Sequence, residues 1–373
     1  MGINIMEISK EQAIYRYIRK HGAASKQDLV SALRYSLPTI TQKLQALKEK
    51  KLIDTSEKFE NTGGRNAIAY SYVSTAKVAI GLYLTSHHVS CVAVDLSGNM
   101  LGIRRTKRIF DLEDDEYRRF IAREVEEVKD DVRIGDDSLL GVGIALPGLI
   151  SDDGERVIYG RTLGFTGMTR EEIAAYIPYR NKLFHDSATA GFAQMWESEK
   201  TSNTFCISLS NSVGGAFIQG NQIYQGNSQR GGEIGHMLVE PHNGELCYCG
   251  NYGCFDTVCK STILSDYTGG NLDEFFKLLD KGDGGAKALW NTYISYLAMA
   301  IRNIRMLFDS DIILGGYVGE YIGRYMDQLC EEVDRKNVFG DKAEDYIIPC
   351  INRTEDIAAG AAIMLIDEYI SSI

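Results

Sequence analysis

Between Gly235 and Cys254 the chain reads GHMLVEPHNGELCYCGNYGC, two histidines and three cysteines in one short glycine-rich stretch. No other feature restricts the local fold as tightly. Thiolate and imidazole are the ligands a tetrahedral zinc ion takes. Cys247, Cys249 and Cys254 supply three of them, and Gly250 and Gly253 let the backbone aim all three sulfurs inward. A histidine is needed as the fourth, and His236 and His242 both lie close. A site closed by four protein ligands is structural rather than catalytic. Free buried thiols or a redox pair are the plainer alternatives.

Location bears on that choice. The opening residues, MGINIMEISKEQ, lack the basic head and apolar core of a secretion signal. No apolar run approaches the roughly 18 residues that a membrane span requires. The expected location is therefore the cytosol, where disulfides are rare and clustered cysteines read as metal ligands. At 373 residues, 44% hydrophobic and 24% charged, the chain has a globular composition and length for two or three domains.

Its net charge of −11 hides an asymmetry. Residues 1–76 carry 12 Lys/Arg and 7 Asp/Glu, a balance of +5, and the remainder carries −16. In this basic head, KEQAIYRYIRKHG repeats apolar residues at helical spacing (Ala13, Ile14, Tyr17, Ile18) and stops at Gly22. Ser25 then caps a second helix with Leu29, Val30 and Leu33 inward. After a short break, Ser36 and Pro38 open a third, with Ile40, Leu44 and Leu47 as its apolar stripe. LIDTSEKF and NAIAYSYV alternate as strands around the ENTGGR turn. Three helices and a hairpin make a winged helix-turn-helix. The third helix is expected in the major groove of double-stranded DNA, with Ser36, Thr39, Gln42 and Lys43 near bases or phosphates. Arg65 at the wing tip is expected to reach a minor groove or the backbone. A small adaptor that binds protein is the alternative.

The body has another texture. VAIGLYL and VSCVAVDLSGNMLG read as strands closed by Ser97-Gly98-Asn99, and DDEYRRFIAREVEEV as an amphipathic helix. LLGVGIALPGLI is a buried strand, NKLFHDSATAGFAQMWE a strand then a helix, and TFCISLSNSVGGAFIQGNQIYQG a hairpin with glycines at its bend. LAMAIRNIRMLFDSDIILGG is a long helix then a strand, and DIAAGAAIMLIDEYI a small-residue helix. The order is that of an α/β body.

These segments, and above all RGGEIGHMLVEPHNGELCYCGNYGCFDT, resemble the ROK family of sugar kinases and sugar-responsive repressors. The basic head resembles the winged helix of the repressor branch. The resemblance implies a two-lobed, actin-like (ribonuclease H-like) α/β body with a sugar cleft. Residues 1–76 are then the DNA-binding domain and 77–373 the sugar-binding body. Lobe 1 spans about 77–185 plus 355–373, and lobe 2 about 186–354. The resemblance selects His236 over His242 as the fourth zinc ligand. It also implies a sugar site of Glu233, His236 and Asp256, the last where the family usually has Glu, with Asp186 at the position of the kinases' catalytic base. As an alternative or added role, Asp186 caps the following helix.

Kinases of the family hold phosphates with a DxGGT stretch and a GTG loop. Here Tyr83 stands for the Asp, Thr85 and Ser86 for the glycines, His87 for the Thr, and Ser210-Asn211-Ser212 for GTG. Side chains then fill the phosphate space. The expectation is no enzyme but a sugar-responsive transcriptional regulator, a repressor, working as a homodimer or a dimer of dimers on a roughly palindromic operator. A sugar kinase with a DNA-binding head is the competing reading, and a zinc-sensing regulator a third.

Overall fold

The structure is a computed structural model, and it describes residues 8–56, 68–196, 203–220, 222–350 and 355–373. Helices α1 (Lys10–His21), α2 (Lys26–Leu33) and α3 (Leu37–Glu49) open the chain. Each begins at a serine. The hydroxyls of Ser9, Ser25 and Ser36 accept the N–H of Gln12, Asp28 and Thr39, and Ser25 forms a capping box with Asp28. Ile14, Tyr15 and Ile18 of α1 meet Leu29, Ile40, Leu44 and Leu47 in the head's core. Tyr15, rather than the expected Tyr17, is the buried tyrosine of α1. Of the α2 trio only Leu29 is fully buried.

Two strands of the head are where the alternation places them, β2 (Ile53–Ser56) and β3 (Ala69–Tyr72). A third, β1 (Ala23–Ser25), was not expected. It pairs antiparallel with β3 and makes a three-stranded sheet in the order β1-β3-β2. The element order is that of a winged helix-turn-helix. The ENTGGR turn and Arg65 lie outside the described residues.

The body contains one strand pattern twice. The first sheet comprises β4 (Val78–Leu84), β5 (His88–Asp95), β6 (Met100–Lys107), β7 (Leu139–Leu146) and, beyond the small β8–β9 pair (Leu149–Ile150 and Val157–Tyr159), β10 (Asn181–His185), in the order β10-β7-β4-β5-β6. The second comprises β11 (Thr204–Leu209), β12 (Val213–Gln219), β13 (Gln222–Ile223), β14 (Asp311–Gly315) and β15 (Ile347–Pro349), in the order β13-β12-β11-β14-β15. In both, an antiparallel meander of three strands continues into two parallel ones. The Ser97-Gly98-Asn99 turn separates β5 from β6, so its segment supplies two strands rather than one. Gly214 and Gly215 lie within β12, and Ser210 to Ser212 form the bend instead.

Five further helices matter for the site: α4 (Asp115–Asp131), α5 (Asp186–Trp196), α6 (Gly284–Phe308), α7 (Gly316–Ile322) and the C-terminal α8 (Asp356–Ser372). Small residues let α8 lie directly on the first sheet and on α5. A β-carbon on Gly81 would come within 1.7 Å of Ala358 O, one on Gly143 within 2.3 Å of Ala361 O, and one on Gly360 within 2.0 Å of Thr189 O. Helix α5, expected to open the second lobe, is shared: it packs on α8 and also on β11 and β12.

Head and body share one apolar cluster that runs from α1–α3 into α8 and on to β5 and α5. Polar bonds tie the seam. Leu96 N–H donates to Ser74 O at 2.9 Å, Tyr72 pairs with Ser97, and Arg16 reaches Ser371 Oγ at 3.4 Å. The Arg19 guanidinium lies 4.1 Å from the ring centroid of Trp196, the last residue of α5. Trp196 in turn donates to Ser97 O at 3.1 Å. Among the described residues, no helix is long and apolar enough to cross a membrane.

Candidate functional site

After β13 the chain turns through Glu233 into a single 3-10 turn, Ile234–His236, and then into the cysteine loop. Gly250 (φ 93°) and Gly253 (φ 75°) adopt the left-handed conformations the sequence suggested. Gly253 also packs where a β-carbon would lie 1.9 Å from Glu240 O. Cys247 N–H bonds Asn251 O, and Gly250 N–H bonds Cys247 O, both at 2.8 Å. This closes a tight knuckle. One ligand atom from each of His236, Cys247, Cys249 and Cys254 lies within 4.8 Å of every other.

The spacing suits a tetrahedral ion. Bonds of about 2.3 Å from metal to sulfur put two sulfurs roughly 3.8 Å apart. Cys249 Sγ and Cys254 Sγ are 3.7 Å apart, and His236 Nδ1 is 3.7 Å from Cys247 Sγ. His236 Nδ1 therefore faces the thiols, and Nε2 points the other way, 4.0 Å from Glu233 Oε2. His242 stays outside the cluster, on an exposed turn where its N–H bonds Glu240 Oε1 at 3.1 Å.

Beside this knuckle a cavity of about 50 Å³ is lined by Asp186, Glu233 and His236, with Tyr159, Arg161 and His185. Three elements converge there: the C-terminal end of β10, the first turn of α5 and the 3-10 turn. Asp186 is the first residue of α5 rather than a cap before it, and its Oδ1 accepts the Ser187 N–H at 2.7 Å. Burial pushes its carboxyl above the usual range, opposed by His185 and by the Ser187 N–H. Burial likewise raises the Tyr83 phenol far above its usual range, so it stays protonated and donates to Asp186 Oδ2 at 3.4 Å.

His185 was not among the expected site residues. Its Nε2 stands 3.3 Å from Asp186 Oδ1 and 3.8 Å from Glu233 Oε1, between the two carboxylates. Its trace in the sequence was its place directly before Asp186.

Asp256 does not join this cavity. It is 3% exposed, and its Oδ1 accepts the Val213 N–H at 2.7 Å. One methylene shorter than the family's glutamate, it is spent on fixing the start of β12. Gly214 and Gly215 are also accounted for by packing. A β-carbon on Gly214 would lie 2.0 Å from Ser187 Oγ, and one on Gly215 2.9 Å from Ile234.

On the head, Gln42 is exposed as expected, but three of its expected companions are engaged or turned aside. Lys43 is paired with Glu11 at 3.2 Å, Ser36 Oγ caps α3, and Thr39 Oγ1 bonds Ser36 Oγ at 2.9 Å. At about 100° per residue, Lys43 sits only some 60° from Ile40 and borders the buried stripe. The exposed residues beyond it are Thr41, Gln42, Gln45, Lys48 and Glu49, with Lys48 at the edge, one turn from Leu44 and 3.9 Å from Asp54. The same wheel, centred on Ile40, Leu44 and Leu47, would have found them.

Three helices with a small three-stranded sheet, joined to a doubled α/β body that carries a Cys/His knuckle beside its cavity, make a mixed α/β protein of the actin-like kind. The family model described as "ROK family" matches residues 79–368, and the chain belongs to that family. The Escherichia coli K12 "DNA-binding transcriptional dual regulator NagC" is 23% identical over 331 residues, covering 87% of this chain and 77% of the relative. The Bacillus subtilis "Xylose repressor" is 20% identical over 97% of this chain and 96% of its own length. Among solved structures, a ROK family transcriptional regulator described as a homolog of the E. coli MLC protein superposes with TM-score 0.76 at 20% identity, covering 97% of this chain and 96% of that one. A Streptomyces griseus ROK glucokinase in complex with glucose and AMPPNP superposes with TM-score 0.63 at 19% identity, covering 77% of this chain and 98% of that one.

Proposed function

We propose that this ROK protein is a sugar-responsive transcriptional repressor of the cytoplasm that binds operator DNA through its head and a carbohydrate in its cleft. The observation that carries the reading is the convergence of Asp186, Glu233 and His236 on one cavity, with α5 leading from that cavity to the head. Asp186 and Glu233 accept from sugar hydroxyls, and His236 Nε2 faces the same space. His236 Nδ1, Cys247, Cys249 and Cys254 hold a structural zinc ion. Bound there, the ion stiffens the knuckle and so fixes the direction of His236 and Glu233.

On DNA, α3 enters the major groove with Gln42 and its outward neighbours Thr41, Gln45 and Lys48, and Arg65 serves the wing. Two chains pair so that two heads meet a palindromic site. A sugar acts by binding one closure of the lobes more tightly than the other, and α5 carries the difference to Trp196 and Arg19. The test is operator affinity measured against a sugar panel at fixed salt. A sugar that binds the protein yet leaves operator affinity unchanged would remove the sensor claim.

The kinase reading has a specific weakness. Tyr83, which the resemblance sets at the position of the kinases' metal-binding Asp, donates to Asp186, which it sets at the position of their base. No ATP-dependent phosphorylation of hexoses is expected, and turnover would restore that reading.

A further inference from the structure

Adjoining the sugar cavity is a larger one of about 480 Å³, within the range of roughly 300–1,000 Å³ typical of small-molecule sites. Thr85, Ser86, His87 and Ser210 to Ser212, expected to fill the space of the kinases' phosphates, line this cavity and leave it open. The two share Pro147, Thr162, Asp186, Ser187 and Ser212. We infer that this second cavity is a carbohydrate subsite, and that the ligand is a neutral disaccharide or longer saccharide spanning both. The inference rests on the sugar-sensing reading above and names its ligand class.

Size is the first reason. About 50 Å³ is room for a few waters rather than a whole sugar ring, so a ring held by Asp186 and Glu233 extends into the neighbouring space. Chemistry is the second. The larger cavity is lined by Ser86, Ser208, Ser210, Asn211, Ser212 and Ser265, side chains that both donate and accept, as recognition of a polyol requires. Ser261 Oγ donates to Asn211 Oδ1 at 3.1 Å and leaves the amide N–H groups for the cleft. Tyr317 and Tyr321 offer apolar faces, and Tyr321 is stacked on Phe276 at 4.1 Å.

Within the larger cavity charge disfavours the obvious competitor, a phosphate, so that Arg161 in the smaller one is the cation such a group would find. Arg105 is already paired with Glu355 at 3.3 Å. Burial, with Arg105 and Lys107 nearby, holds His88 below its usual range and neutral. Asp186 and Glu320 add carboxylates to the lining. Backbone donors are spent too: Ser210 N–H on Ser212 O at 3.3 Å, and Ser261 N–H on Ser210 O at 2.7 Å. Among these described groups, neither Arg105, His88 nor the Ser210 and Ser261 amides is left to hold an anion in the larger cavity.

Calorimetry on the whole chain tests this, with glucose, xylose and N-acetylglucosamine set beside α- and β-linked disaccharides of each, the 6-phosphates of the hexoses, and AMPPNP. One disaccharide is expected to bind at least about tenfold tighter than either component. Asn211→Leu and, separately, Ser210→Val are expected to cut that margin to below about threefold, whereas Glu233→Gln weakens both sugars. Unchanged melting curves for the variants guard against misfolding. A monosaccharide, sugar phosphate or nucleotide that binds as tightly as every disaccharide overturns the inference and leaves the sensor standing. If no carbohydrate binds at all, the sensor reading falls and takes this inference with it.

Discussion

Asp186 bonds its own helix and faces the cleft, and burial sets its behaviour with pH. Its folded pKa is raised, so the ionised form costs stability above that pKa, and the cost disappears as pH falls through it. Asp186→Asn should therefore leave the ligand-free protein at least as stable near neutral pH. Carbohydrate affinity should fall about 10–100-fold, the value of hydrogen bonds to a charged acceptor, as calorimetry beside thermal melts would show. In the wild type, affinity should decline on acidification at a higher pH than an ordinary aspartate would give. A second change isolates the knuckle. Cys254→Ser should take bound zinc from one per chain toward zero and lower Tm, read by metal analysis and calorimetry. The Cys/His cluster was legible because cysteine, histidine and glycine at short spacing carry their chemistry with them, while the choice of His236 over His242 came from the resemblance. Asp256 was not, since a buried carboxylate that serves a backbone N–H has the same letter as one that serves a ligand.

Among elements, α3 makes the clearest demand. Gln42→Ala should cost about 1–3 kcal/mol at a matched operator and relax preference at one base pair, whereas Lys48→Ala should weaken all sequences alike and shallow the salt dependence by about one counterion. Lys43→Ala should leave the salt slope unchanged and soften the head, because it strips a partner from the 7%-exposed Glu11. Footprinting at several salt concentrations separates the three. Long elements could be read from periodicity: α3, α8 and the longer strands of both sheets fall where apolar spacing puts them, whereas the three-residue β15 was not foreseen. Strand β1 could not, because three residues carry no measurable alternation and Ser25 already signals a helix start. The glycines of β12 misled for a related reason. They suggest a bend, but close approach by Ser187 and Ile234 requires them in the middle of a strand.

At the scale of the molecule, α5 is the element to disturb. Eleven residues at 1.5 Å each carry it about 16 Å from Asp186 to Trp196. Trp196→Leu, or Arg19→Gln from the other side, should reduce the carbohydrate-dependent change in operator affinity about fivefold or more, out of a coupling of 1–3 kcal/mol. Carbohydrate affinity and ligand-free operator affinity should each move far less, as titrations of the three equilibria would reveal. The change from basic to acidic texture near residue 76 marked a seam in the sequence. It could not disclose what bridges that seam, because Asp367 and Ser371 lie some 350 positions away from the α1 arginines they approach, and Ile370 joins the same apolar cluster. That shared core has a practical corollary for anyone grafting heads between regulators. A chimaera cut at residue 76 would set a foreign first helix against the final turns of α8, leaving a cavity or a clash where Ile370 once nested. Exchanging the last dozen residues along with the head would be the way to keep such a hybrid soluble and responsive.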